Sequence, residues 1–156
     1  MADDLTFMMG KYAARLPGDC LYARNHMWCR RSGDNGDRLR FGFTTYAVRL
    51  MQDVYFLDWH VSPGDQLAQL QEIGHIETSK ATADLFAPMS GSLVELNRDL
   101  LKDPSGINVN CHEEGWLFEL AGTTDGLMTA DDYGKFLAAT WENTQRIIKG
   151  KINEDA

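Results

Sequence analysis

Through the middle of this chain, turn signals recur roughly every eight to twelve residues, with short apolar stretches between them. Asp34-Asn35-Gly36-Asp37, Ser62-Pro63-Gly64-Asp65 and Pro88-Met89-Ser90-Gly91 are such signals, because Asn-Gly and Pro-Gly supply backbone geometries that regular strands do not. The stretches between them suit strands. Arg38–Phe43 alternates, so Leu39, Phe41 and Phe43 share one face, and residues 26–30 are the expected hairpin partner. Val54–Trp59 is rich in aromatic and β-branched residues. Residues 67–77, 83–87, 92–96 and 115–120 complete the expected strands. The spacing predicts a small sandwich or barrel, mainly β, with helices at its edges.

Four helices are expected. Leu5, Met8, Met9, Tyr12 and Leu16 fall at helical spacing, which predicts an amphipathic helix over residues 5–16, stopped by Pro17-Gly18. Residues 45–52 read as one or two turns behind a threonine cap. Asn97 is placed to cap a short helix that must end before Pro104. At the C-terminus, Thr129 and Asp132 have capping-box spacing, and Met128 and Tyr133 stand at staple positions. Tyr133, Phe136, Leu137, Thr140, Trp141 and Ile148 keep one face, Arg146 and Lys149 suit the negative end of the helix dipole, and Gly150 is the expected stop.

The chain of 156 residues is long enough for one ordinary domain. Its net charge of −8 argues against nucleic acid or an anionic membrane as partner, since phosphate binding needs a basic face. No stretch approaches the roughly 18 apolar residues of a membrane span. Asp3 and Asp4 precede any cation, unlike a secretion signal. Cys20, Cys29 and Cys111 form neither a CxxC pair nor a disulfide framework, so a reducing, cytoplasmic setting is expected. The charge is uneven: between Arg49 and Arg98 lie seven acids and one basic residue, Lys80.

Lys80 sits in a short polar link between two strand segments. Ser79 and Ala81 leave its amine accessible, and Glu77 and Asp84 stand three before and four after it. A modifying enzyme could select this amine without competition, and acylation would remove the only positive charge of the region.

The run Glu77-Thr78-Ser79-Lys80-Ala81-Thr82-Ala83-Asp84-Leu85-Phe86-Ala87-Pro88-Met89-Ser90-Gly91 resembles the lipoyl-attachment segment of the glycine cleavage system H-protein family, ESVKA followed by SDLYAPVSGEV. Leu21-Tyr22, His26 and Trp28 are similar to the family's Y-x-x-x-H-x-W. Phe41-Gly42-Phe43-Thr44-Thr45-Tyr46-Ala47 is similar to VGITDYA. Asn97, Leu100, Pro104 and Ile107-Asn108 follow N-x-x-L and P-x-L-V-N, and Glu114-Gly115-Trp116-Leu117 matches EGWL. The resemblance runs in order from about residue 20 to residue 149. Against this pattern, Ser79 replaces a hydrophobic residue, and Gln52 and Leu70 replace glycines.

The resemblance implies a barrel-sandwich hybrid of two antiparallel sheets with the lysine at a hairpin turn. The carrier domain would span residues 20–150, after a helical extension over 1–19 and before a tail over 151–156. The resemblance also implies a carrier rather than an enzyme. Lipoate would be held in amide linkage by Lys80, with Glu77, Ser79, Ala81 and Asp84 as recognition residues around it. Its partners would be a pyridoxal-phosphate glycine decarboxylase, an aminomethyltransferase, dihydrolipoyl dehydrogenase, and a lipoate ligase or transferase. Related carriers serve sulfur oxidation or lipoate transfer instead.

Other readings have their own signatures. A biotin carrier presents Met-Lys-Met, which Ser79-Lys80-Ala81 lacks. His26, Cys29, Cys111 and His112 are possible metal ligands by type, with packed thiols and hydrogen-bonded imidazoles as the plainer reading. His60 and His75 have no sequence partner that would make a general base. A binding module with the same fold and an unmodified Lys80 is the main non-carrier reading. No nucleophile elbow, phosphate loop or zinc signature supports an enzyme.

Overall fold

The computed structural model describes residues 3–32 and 38–155, with side chains up to residue 144. The expected turn at Asp34–Asp37 lies outside the described residues.

The chain opens with β1 (Leu5–Met9) and β2 (Tyr12–Leu16), an antiparallel hairpin in which Met9 faces Tyr12. This corrects the helix expected over residues 5–16. Gly10 sits at φ +65° and begins a two-residue loop with Lys11, so the chain reverses where a helix would continue. Leu5, Phe7 and Met9 on one strand and Tyr12, Ala14 and Leu16 on the other then point inward by simple alternation.

Next come β3 (Leu21–Tyr22), β4 (Met27–Ser32), β5 (Arg38–Phe43), α1 (Thr45–Met51), β6 (Val54–Trp59), β7 (Gln66–Leu67), β8 (Glu72–Thr78), β9 (Thr82–Phe86) and β10 (Gly91–Leu96). They are followed by α2 (Asp99–Lys102), α3 (Gly106–Val109), β11 (Phe118–Ala121) and α4 (Ala130–Asp155). Six strands form one antiparallel sheet in the order β3-β4-β5-β11-β10-β7, and β6-β8-β9 form a second. Leu39, Phe41, Phe118, Leu120 and Leu93 of the large sheet meet Leu57, Ile73, Ile76 and Leu85 of the small one in a single buried core. Burying each such side chain contributes about 1.5–3 kcal/mol, which is what holds the two sheets face to face.

A second core lies between the N-terminal hairpin, α1 and α4. It contains Met9, Leu16, Tyr22, Trp28, Tyr46, Tyr133 and Leu137. Tyr22 stacks on Tyr133 at 4.7 Å between ring centroids, and its hydroxyl donates to Pro17 O at 2.6 Å. Phe7 packs edge-on against both Tyr46 and Trp141.

The caps follow the side-chain chemistry. Thr44 Oγ1 accepts from Ala47 N and Thr129 Oγ1 from Asp132 N, whereas the cap position of α2 falls to Arg98 and not to Asn97, whose Oδ1 accepts from Asp99 N from one residue further back. Helix α4 nevertheless runs through Gly150 to Asp155, contrary to the expected stop, because one interior glycine costs only about 1 kcal/mol. Three strand boundaries also differ. His26 has φ +67°, so β4 begins after it. Leu70 at φ +66° divides the segment 67–77 into the end of β7 and β8. Residues 115–117 lie outside β11, since Gly115 is pressed against α3, where an added Cβ would stand 2.7 Å from Gly106 O.

Gln52 closes α1 at φ 62°, ψ −137°, a region glycine occupies without strain. Gln52 and Leu70, the two residues that stand in place of glycines of the resembling pattern, thus keep a glycine-like backbone. Gln52→Gly should relieve about 1–3 kcal/mol of strain and lose about 0.5–1 kcal/mol to chain entropy. The expected result is a gain near 1 kcal/mol and a melting temperature higher by about 2–4 °C, readable by calorimetry.

Candidate functional site

Strands β8 and β9 pair Glu77 with Thr82, and Thr78 N donates to Ala81 O at 2.9 Å. Ser79 and Lys80 are therefore the two residues of the loop. Neither has positive φ, so this tip is not one of the primed turns that two-residue hairpins favour. Thr78 compensates. Its Oγ1 accepts from Lys80 N at 3.3 Å and Ala81 N at 3.1 Å, and donates to Ala81 O at 3.0 Å. Thr78 shows this role in the sequence only by standing directly ahead of a polar loop, where a hydroxyl can stand in for a backbone turn bond.

The Lys80 side chain is exposed, and no carboxylate among the described residues pairs with its amine. Ser79 is exposed and Ala81 half-buried, so both leave the tip open. Glu77 and Asp84 do lie together, on the outer face of the β6-β8-β9 sheet, and His75 joins them: its Nε2 is 3.5 Å from Glu77 Oε1 and its Nδ1 3.8 Å from Asp84 Oδ1. His60 makes a similar pair of contacts, 3.1 Å to Glu72 and 3.7 Å to Asp58. Each histidine thus meets one carboxylate two residues away in the chain and one brought near by strand pairing. Phe56, half-exposed, faces Glu77 in register and lies 6.3 Å from the His75 ring. The tip is a single basic group above an acidic face bordered by exposed Tyr55 and Phe56.

Of the four possible metal ligands, Cys29, Cys111 and His112 are buried and His26 is half-buried. His26 Nδ1 shares a 2.9 Å hydrogen bond with the Tyr133 hydroxyl, and burial holds its imidazole down to about 4. Burial likewise lowers His112 to about 4, helped by Arg15 and Arg30. The thiols of Cys29 and Cys111 are buried, and burial pushes Cys29 up to about 12. Among the described residues no cluster of three or more such side chains is arranged to hold a metal ion. No helix among them is long and apolar enough to cross a membrane.

The comparisons with known proteins agree with this architecture. The family model for the glycine cleavage H-protein matches residues 20–140. The glycine cleavage system H protein of Mycolicibacterium smegmatis is 35% identical over 127 residues, covering 77% of this chain and 95% of that protein. The H protein of Nitratidesulfovibrio vulgaris is 34% identical over 125 residues, covering 79% and 95%. The crystal structure of a glycine cleavage system H protein from Mycobacterium marinum superposes with a TM-score of 0.66 at 29% identity, covering 78% of this chain and 98% of that one. The two opposed antiparallel sheets are thus the barrel-sandwich hybrid of that structure, and the chain belongs to the glycine cleavage H-protein family.

Proposed function

We propose that this chain is a carrier subunit, not an enzyme, and that Lys80 holds lipoate in amide linkage. The observation that carries the reading is the exposed amine of Lys80, unpaired among the described residues, on a two-residue tip, which fits a covalently attached arm. When attached, lipoate supplies a reducible disulfide at the end of a flexible tether, and the chemistry belongs to that group and to the partner enzymes. The chain supplies attachment and recognition. Thr78 fixes the tip, Ser79 and Ala81 leave it accessible, and Glu77 and Asp84 offer charge to a docking enzyme. In the attachment step Lys80 Nζ gives up a proton to the acylating enzyme and attacks the carboxyl carbon of an activated lipoate. The C–N bond forms as the bond to the activating group breaks.

The carrier domain spans residues 20–150, and the loaded chain moves an aminomethyl group in the cytoplasm. It visits a pyridoxal-phosphate glycine decarboxylase, then a folate-dependent aminomethyltransferase, and dihydrolipoyl dehydrogenase returns the arm to the disulfide. Tethering suits this work, because each docking event presents the arm at high effective concentration.

Incubation of the full chain with lipoate, ATP and a lipoate–protein ligase tests the reading by intact mass. A gain of one lipoyl group, mapped to the peptide containing residues 77–84, is expected. No gain with either a ligase or an octanoyl transferase system would favour an unmodified binding module.

A further inference from the structure

Ser79 departs from the hydrophobic residue of the resembling pattern, and its side chain is engaged rather than idle. Ser79 N donates to Asp53 O at 2.9 Å, and Ser79 Oγ accepts from Asp53 N at 3.2 Å. These reciprocal bonds extend the β6–β8 pairing past Val54 and Thr78, to the residue before Lys80. Asp53 belongs to the turn opened by Gln52. Asn108 of α3 grips that turn from its other side, with Nδ2 donating to Gln52 O at 2.6 Å and Oδ1 accepting from Val54 N at 2.9 Å. A continuous chain of hydrogen bonds thus runs from α3 through residues 52–54 to the tip. Thr78 holds the loop internally; the Ser79–Asp53 pair fixes the loop to the body.

We propose that Ser79 is a positioning residue for acylation of Lys80: through Asp53 it holds the tip in one orientation, so that the amine meets the activated carboxyl of lipoate without a search. A hydrophobic residue at this position would keep the main-chain bond and lose the hydroxyl one. The proposal rests on the carrier reading and adds to it a role for a side chain that never touches the acyl group.

The test uses the full chain and a series at one position. Lipoylation by the ligase is followed by intact mass to give kcat and KM for Ser79→Ala, Ser79→Val and Ser79→Thr, alongside melting temperatures and amide hydrogen exchange. Loss of one neutral hydrogen bond corresponds to roughly fivefold. Ser79→Ala and Ser79→Val should therefore lower kcat about fivefold at unchanged KM, while Ser79→Thr, which keeps the hydroxyl, stays near wild type. The Asp53 amide should exchange several-fold faster in Ser79→Ala, with the melting temperature lower by no more than about 2–4 °C, the worth of one such bond. Wild-type kcat in Ser79→Ala, an equal loss in Ser79→Thr, or a melting temperature lower by more than about 4 °C in Ser79→Ala would overturn the proposal. Exchange at Asp53 needs no ligase. Unchanged protection there in Ser79→Ala would overturn the clamp even if the wild type accepted lipoate, whereas a wild type that accepts none counts against the carrier reading alone.

Discussion

Replacing Lys80 by arginine should give a chain that no lipoate ligase modifies, at nearly unchanged stability. Arginine keeps the positive charge and suits the exposed tip, so unfolding should shift by no more than about 0.5 kcal/mol. Its guanidinium stays protonated and cannot serve as the amine nucleophile. Intact mass before and after incubation reads the result. The chain carries its own comparator. Lys11 also stands exposed on a two-residue hairpin loop, between Met9 and Tyr12, yet no charged residue lies within three positions of it. If a hairpin tip alone were enough, lipoate would appear on Lys11 in the Lys80→Arg chain. Its complete absence is the expected outcome, and it would assign selection to the setting of Lys80, with Glu77 and Asp84 around His75. Acylation at Lys11 would remove those acids from the recognition argument.

Trp28→Ala should destabilise the fold by about 3–5 kcal/mol, a fall in melting temperature on the order of 10 °C. The indole is fully buried, and its Nε1 donates to Cys111 O at 2.8 Å. On its face, Gly42 leaves no space: a Cβ there would stand 2.6 Å from the Trp28 ring. Arg30 covers the ring from another side at 5.2 Å. Trp28 belongs to the core beneath the N-terminal hairpin, while its β4 neighbours Met27 and Cys29 belong to the core between the sheets. Removing it therefore opens a cavity where the two cores join, which neighbouring side chains on fixed strands cannot fill. Urea unfolding with an unchanged m-value would measure the loss; a change under about 1 kcal/mol would show that the site collapses freely. Because Lys80 lies on the other sheet, lipoylation well below the melting temperature should persist in this variant.

Much of the architecture was legible because it rests on local chemistry. Strands Arg38–Phe43 and Val54–Trp59 were readable from composition and alternation, and the start of α4 from the hydroxyl of Thr129. The N-terminal hairpin was misread because residues 5–16 satisfy both periods, and Gly10 decides between them only through its positive φ. The backbone at Gln52 and Leu70 was hidden for a related reason: neither side chain favours that conformation, and main-chain hydrogen bonds hold it, from Gln52 N to Val48 O and from Leu70 N to Ala87 O. At the site, Lys80 with Glu77 and Asp84 could be read from spacing. The roles of Thr78, Ser79 and His75 could not, since they depend on which strands pair. Ser79 meets Asp53 across 26 residues, and His75 meets Asp84 only in the register of β8 with β9.

The placement of the aromatic rings has a practical consequence for anyone following this molecule by light. Of its four tryptophans, Trp28, Trp116 and Trp141 lie in or against the core under the hairpin and α4. Trp59 alone packs on the other, edge-on to Phe118, in the sheet that bears the tip. Three of the four indoles therefore report on the core under the hairpin and α4. A chain keeping Trp59 as its single fluorophore would report on the core between the sheets.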